Sequence, residues 1–263
     1  MSFTDFKLTP ATVITGMHRS GTSMVTQLLA HAGLWLGSEE KLMPAKPDNP
    51  DGFYEHLDIV WIHNALLQQH HGGWDFEPTF SDNWQHAESM SDLRSRAIST
   101  CKKISSEQNK HQAWGWKDPR TCFFLPFWHS LMPDMKHVIC VRNPLAVAQS
   151  IRARNNNSLP FGLDLWERYN RNLLNNVHAG SFVVTHYDSW FIDPQKELLR
   201  LTRFLGWETQ KIKESTLQPL IKPSYRHHQM VTLDDLQKHC PPSVLQLYST
   251  LCEQAEINMD RTL

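Results

Sequence analysis

A glycine-framed loop near the N-terminus does most to limit what this chain can become. Residues 12–15, Thr-Val-Ile-Thr, read as a short buried strand and run into Gly16-Met17-His18-Arg19-Ser20-Gly21-Thr22-Ser23, ahead of a helical pattern over residues 22–32. Strand, glycine loop and helix start together make a cradle for an anion: backbone N–H groups around residues 20–23 point at it, and the helix dipole favours its charge. The two glycines keep the spacing of the loop G-x-x-x-x-G-K-[ST], but Thr22 stands where the lysine for the β/γ-phosphates belongs. The cation has moved inside the loop, to Arg19. This keeps an anion site, with Arg19, Thr22 and Ser23 as side-chain donors, and weakens the case for ATP or GTP with Mg²⁺.

A chain of 263 residues can bury a large core, and one domain over residues 1–263 is the natural reading. Lys and Arg number 26 against 27 Asp and Glu, so no global field favours nucleic acid or an anionic membrane, and an anion site must be local. The five cysteines show no C-x-x-C spacing and sit in apolar stretches, which points to buried thiols in a reducing cytoplasm. No secretory leader opens the sequence, and no apolar run nears the roughly 20 residues of a membrane helix. A soluble cytoplasmic protein is the expectation.

Fifteen histidines raise the question of a metal. His56, His63 and His70 recur every seven residues along one helix, whereas ligands on adjacent turns fall three or four apart, so no metal site is expected. Ten tryptophans are also many; most belong to the core, but Trp35, Trp61, Trp74 and Trp84 are candidates to line an acceptor pocket.

Residues 43–52, with Pro44, Pro47, Pro50 and an Asp51-Gly52 turn, form a loop. Residues 57–69 then read as an amphipathic helix with Leu57, Val60, Trp61 and Leu67 on its apolar face, and Leu93, Ala97, Cys101 and Ile104 mark a second. Residues 113–116, 137–141 and 182–187 read as buried strands, each followed by polar residues and a helical pattern. The alternation predicts a three-layer α/β fold of the P-loop type, a central parallel sheet with helices on both faces and ligands at the carboxyl ends of the strands.

Four further groups carry candidate chemistry. Arg142-Asn143-Pro144 closes a strand, and Ser150 lies on the helix of residues 146–154; guanidinium and hydroxyl can converge on a second phosphate. Pro144 suits the first turn of that helix. In Lys117-Asp118-Pro119-Arg120, Lys117 faces a reacting group while Asp118 and Arg120 pair and order the turn. Glu55 or His56 can serve as a general base if it reaches the site, or can only complement a helix start. Tyr187 either contacts a purine or packs.

Taken in order, these residues resemble the sulfotransferases that depend on 3′-phosphoadenosine 5′-phosphosulfate (PAPS), in their bacterial branch. The loop of residues 16–23 is similar to the family's 5′-phosphosulfate loop, whose Arg-Ser-Gly-Thr-Ser/Thr form occurs in bacterial and protein-tyrosine members. Arg142 with Ser150 matches the 3′-phosphate motif, and Lys117-Asp118-Pro119 resembles a tyrosine-protein sulfotransferase segment. Residues 187–190, 194–206 and Lys222-Pro223-Ser224-Tyr225-Arg226 are similar to the C-terminal third. The resemblance implies sulfuryl transfer from PAPS to an acceptor hydroxyl, with no metal required; tryptophans able to stack on a sugar ring favour a glycan or glycolipid as that acceptor. It implies His18, Arg19, Ser20, Gly21, Thr22, Ser23, Arg142, Ser150, Tyr187 and Arg226 around the donor. It also implies Arg19 and Lys117 on developing charge and Glu55 as base, with His56 as its rival. A P-loop kinase or NTPase using ATP–Mg²⁺, with Asp188 as its acid, and a non-catalytic nucleotide-binding protein are the competing classes.

Overall fold

Five strands, β1 (Thr12–Thr15), β2 (Leu34–Trp35), β3 (Ala113–Lys117), β4 (Lys136–Val141) and β5 (Phe182–His186), pair in parallel in the order β2-β3-β1-β4-β5. They come from a computed structural model of the chain, which describes residues 9–47, 49–108, 111–208, 214–222 and 231–259. The helices are α1 (Thr22–His31), α2 (Leu57–Gln69), α3 (Ser91–Ser106), α4 (Thr121–Leu131), α5 (Pro144–Asn155) and α6 (Leu159–Asn176). After β5 come the short α7 (Ser189–Ile192), α8 (Pro194–Leu205), the short α9 (Glu214–Leu217), α10 (Leu233–His239) and α11 (Pro242–Gln254).

Strand side chains alternate between two cores because successive Cβ atoms point to opposite faces. Val13, Ile139 and Val141 meet α2 to α6, α10 and α11 on one side. Ile14, Val138 and Cys140 meet α1, α8 and the chain after it on the other. Burial on both faces is why the strand sequences are continuous apolar runs instead of alternating ones. The expected three-layer α/β architecture is present. All five cysteines are buried free thiols, and no described helix is long and apolar enough to cross a membrane.

Two local readings need correction. Leu57 and Trp61 do not lie on the buried face of α2; they are 40% and 46% exposed, while Ile59, Ile62, His63 and Leu66 are fully buried. Arg96 of α3 covers the Trp61 ring at 3.6 Å, so the indole is partly shielded by a cation without entering the core. A helix was expected after β3, though without limits, and α6 was not expected from the pattern. In α4 the chain is apolar around most of its circumference and carries Pro126, with a kink at Phe124, so no single stripe marks its limits.

Candidate active site

The residues singled out in the sequence converge because four parallel strands end side by side. The loop after β1, the last residue of β3 (Lys117), Arg142 after β4 and Tyr187 after β5 all lie at carboxyl ends. Two glycines make the close approach possible. Gly16 has φ +143°, and a Cβ there would sit 2.2 Å from the Cys140 carbonyl oxygen of β4. Gly21 has φ +82° as the residue before α1, and its Cβ would meet the Tyr187 ring at 2.4 Å. No side chain caps α1, so its first N–H groups remain for an anion.

A cavity of about 400 Å³ opens there, and its described lining carries five cations, Arg19, Lys117, Arg142, Arg154 and Lys222, against Asp51 and Glu55. Arg19 has φ +69°, in the left-handed region, and its Nε donates to Ser150 Oγ at 2.9 Å across 131 residues of sequence. Arg142 donates to the Arg19 carbonyl oxygen at 3.3 Å, and its guanidinium lies 4.3 Å from the centre of the Tyr187 ring. The two cationic motifs therefore share one site. Tyr187 packs against Gly21 and under Arg142 while also lining the cavity.

On the opposite wall Glu55 is nearly buried, at 6% exposure. Lys117 Nζ donates to its Oε1 at 2.7 Å and Arg120 Nη2 to its Oε2 at 3.2 Å. Asp118 and Arg120 do pair: Oδ1 accepts from Arg120 Nε and Oδ2 from Nη2, each at 2.8 Å. Burial would raise the Asp118 pKa, but the Arg120 charge and then His63 hold it well below the usual carboxylate range.

Around the β1 loop, Thr22, Ser23 and His18 line the cavity. Burial, then the charges of Arg120 and Arg154, push His18 down to about 3, which keeps the ring neutral at physiological pH. Its Nε2 is buried without a hydrogen-bond partner among the described residues, as is Ser20 Oγ. Ser20 does not line the cavity, and its N–H closes the turn onto the Met17 carbonyl oxygen at 3.2 Å. Asn49 Nδ2 bonds both Ser23 Oγ at 3.1 Å and the Gly52 carbonyl oxygen at 2.7 Å, tying the proline-rich loop to α1. Lys222 pairs with Asp51 at the rim.

Three expectations fare differently. His56 caps α2, accepting from Asp58 N–H at 3.2 Å, and does not line the cavity. None of Trp35, Trp61, Trp74 and Trp84 lines it either; Trp84 is buried against Phe80, and Trp74 packs behind His18 and Arg154. Arg226 lies outside the described residues. Arg154, which the sequence reading passed over, follows Ser150 by four residues on α5, and one helical turn is the spacing that signals it. Among the described residues no group of three or more His, Cys, Asp and Glu is arranged to hold a metal ion.

A parallel sheet with a glycine loop after its central strand and cations at the neighbouring strand ends is the architecture of the P-loop-type sulfotransferases. The chain belongs to the sulfotransferase family, whose model matches residues 10–211. Its structure is similar to the sulfotransferase domain of the Synechococcus PCC 7002 olefin synthase, at 21% identity and TM-score 0.55, covering 94% of this chain and 96% of that one. It is also similar to the sulfotransferase domain of the curacin biosynthetic pathway (16% identity, TM-score 0.55, 94% and 98% covered). A sulfotransferase from Alicyclobacillus acidocaldarius matches at 16% identity and TM-score 0.52, with 95% and 97% covered. No curated protein matches the sequence.

Proposed function

We propose that the protein transfers a sulfuryl group from PAPS to an acceptor hydroxyl, leaving adenosine 3′,5′-bisphosphate. The observation that carries this reading is that two cationic motifs meet at one cavity: Arg19 beside the α1 start, and Arg142 after β4, with Ser150 behind the cavity wall bonded to Arg19. A donor with phosphates at both ends of its ribose needs two such sites and no lysine for a γ-phosphate. The cavity volume suits a nucleotide, and the two glycines let the loop pack closely against β4 and the Tyr187 ring.

In this reading Thr22, Ser23 and the first N–H groups of α1 hold the 5′-phosphate. Arg142 and Ser150 hold the 3′-phosphate, with Arg154 adding charge from the same helix. Arg19, between the two, neutralises the bridging oxygen, and Lys117 neutralises the sulfuryl oxygens. The donor supplies an electrophilic sulfur with a good leaving group. Glu55 accepts the acceptor hydroxyl's proton as the new O–S bond forms. The tryptophans that favoured a carbohydrate lie off the cavity wall, so a glycan is only one arm of a hydroxyl-acceptor panel.

The kinase reading fares less well. Asp188, its candidate acid, is buried beside His186, which accepts from the Asp188 N–H at 3.1 Å, and does not line the cavity. Calorimetry with adenosine 3′,5′-bisphosphate and with ATP–Mg²⁺ tests the two side by side. The bisphosphate is expected to bind and ATP–Mg²⁺ to bind far more weakly; a preference for ATP overturns the proposal. Transfer of labelled sulfate from PAPS to the acceptor panel tests catalysis.

A further inference from the structure

Behind Glu55 runs a buried chain of side chains that the reaction outlined above does not use. Trp128 Nε1 lies 2.9 Å from His63 Nε2, and His63 Nδ1 lies 2.8 Å from Asp118 Oδ2, with His63 and Asp118 both wholly buried. An indole nitrogen can only donate, so His63 Nε2 is the acceptor and the ring proton sits on Nδ1, given to Asp118. Asp118 is then saturated: besides His63 it accepts from the Arg120 backbone N–H at 2.9 Å and from Nε and Nη2 of the same residue. Arg120 Nη1 donates to Asn64 Oδ1 at 2.7 Å, and Nη2 reaches on to Glu55 Oε2. The guanidinium is thus pinned on every side.

Lys117 is held differently. Among the described residues its Nζ has one hydrogen-bond partner, Glu55 Oε1. The two oxygens of Glu55 therefore carry one fixed cation and one that a single exchange can release. With a cation seated on each oxygen, one of them must give way before a substrate hydroxyl can approach as closely as Lys117 Nζ does, whereas stripping both would leave an unpaired buried charge. Holding one and releasing the other resolves the conflict.

We propose that His63 and Asp118 are positioning residues: they lock Arg120 onto Glu55 Oε2, so that Lys117 alone leaves Glu55, moving to an arriving anion and exposing Oε1 as the base. This rests on Glu55 being the base of the sulfuryl transfer proposed above. Both residues act through Arg120 and touch no substrate.

The test compares the wild type with Asp118→Asn, His63→Phe and His63→Gln for kcat in sulfuryl transfer and for adenosine 3′,5′-bisphosphate affinity. Glutamine has one donor and one acceptor and can bridge Trp128 to Asp118; phenylalanine can do neither. Asp118→Asn and His63→Phe are expected to lower kcat about tenfold or more with bisphosphate affinity within about twofold of wild type, and His63→Gln to recover most of the loss. Arg120→Lys, which keeps the charge and loses the fork, gives the same readout if either variant fails to fold. Wild-type kcat in these variants, or a kcat loss matched by an equal loss of bisphosphate affinity, overturns the assignment. A wild type that transfers no sulfuryl group overturns the proposed function instead, so the two failures are distinguishable.

Discussion

Arg142 spans two loops: it covers the Tyr187 ring and donates to the Arg19 carbonyl oxygen. Arg142→Ala is expected to weaken adenosine 3′,5′-bisphosphate binding by about 1.5–3 kcal/mol, the range for hydrogen bonds to charged groups, in a protein that still folds. Calorimetry showing unchanged affinity would remove it from the 3′-phosphate site. Glu55→Gln should cut kcat by about 10²–10⁴-fold while leaving bisphosphate affinity near wild type; full activity would show the base lies elsewhere. Gly21→Ala puts a Cβ into both a left-handed backbone and the Tyr187 ring, so a loss of about 1–3 kcal/mol, seen as a lower thermal midpoint, is expected. The residues of the glycine loop were legible in the sequence because their chemistry is contiguous. His63, one histidine among fifteen in an amphipathic helix, was not: only the folded chain brings Asp118 and Trp128 to its two nitrogens.

Among the elements, α5 shows how local sequence sets up a site. Asn143 Oδ1 accepts from the N–H groups of Leu145 and Ala146, and Pro144 occupies the first turn, where its missing N–H costs nothing. The helix is thereby started two residues after Arg142, and Ser150, bonded to Arg19, and Arg154, on the cavity wall, follow one turn apart. Asn143→Ala should cost about 1 kcal/mol of stability by urea unfolding; no measurable loss would mean that packing of Leu145 and Val147 alone holds the helix start. Elements with strong periodicity or a cap were readable, and α2 falls within the limits its pattern gave, residues 57 to 69. Its buried face was not, because Trp61 finds Arg96 only after α3 packs beside it. In α4 the helix was expected but its limits were not, because an apolar segment with an internal proline gives no stripe that marks its ends.

For the molecule as a whole, pH dependence follows from its buried histidines. His129 Nε2 meets His137 Nε2 at 2.9 Å, and the His178 ring stacks on His129. Burial, followed by the neighbouring imidazoles, pushes His129 down to about 4 and His137 to about 3, and His18 is also lowered to about 3. In the unfolded chain these rings titrate near 6.5. Below that pH the unfolded state takes up protons that the folded state refuses, so their contribution is intact above pH 6.5 and falls as pH drops toward the folded values. Urea midpoints should decline from pH 7 to pH 4.5, and His137→Gln should flatten the slope; an unchanged slope would remove His137 from the cause.

The pair between Asp51 and Lys222 joins positions 171 residues apart, and Leu220 and Lys222 form a cavity wall beyond the stretch, residues 10–211, that matches the family. A chain still emerging from the ribosome, synthesised only as far as β5, already has all four strand-end loops and lacks that wall. The cavity is therefore walled by residues drawn from early and late in the sequence, and its described lining is complete only once residue 222 has been made.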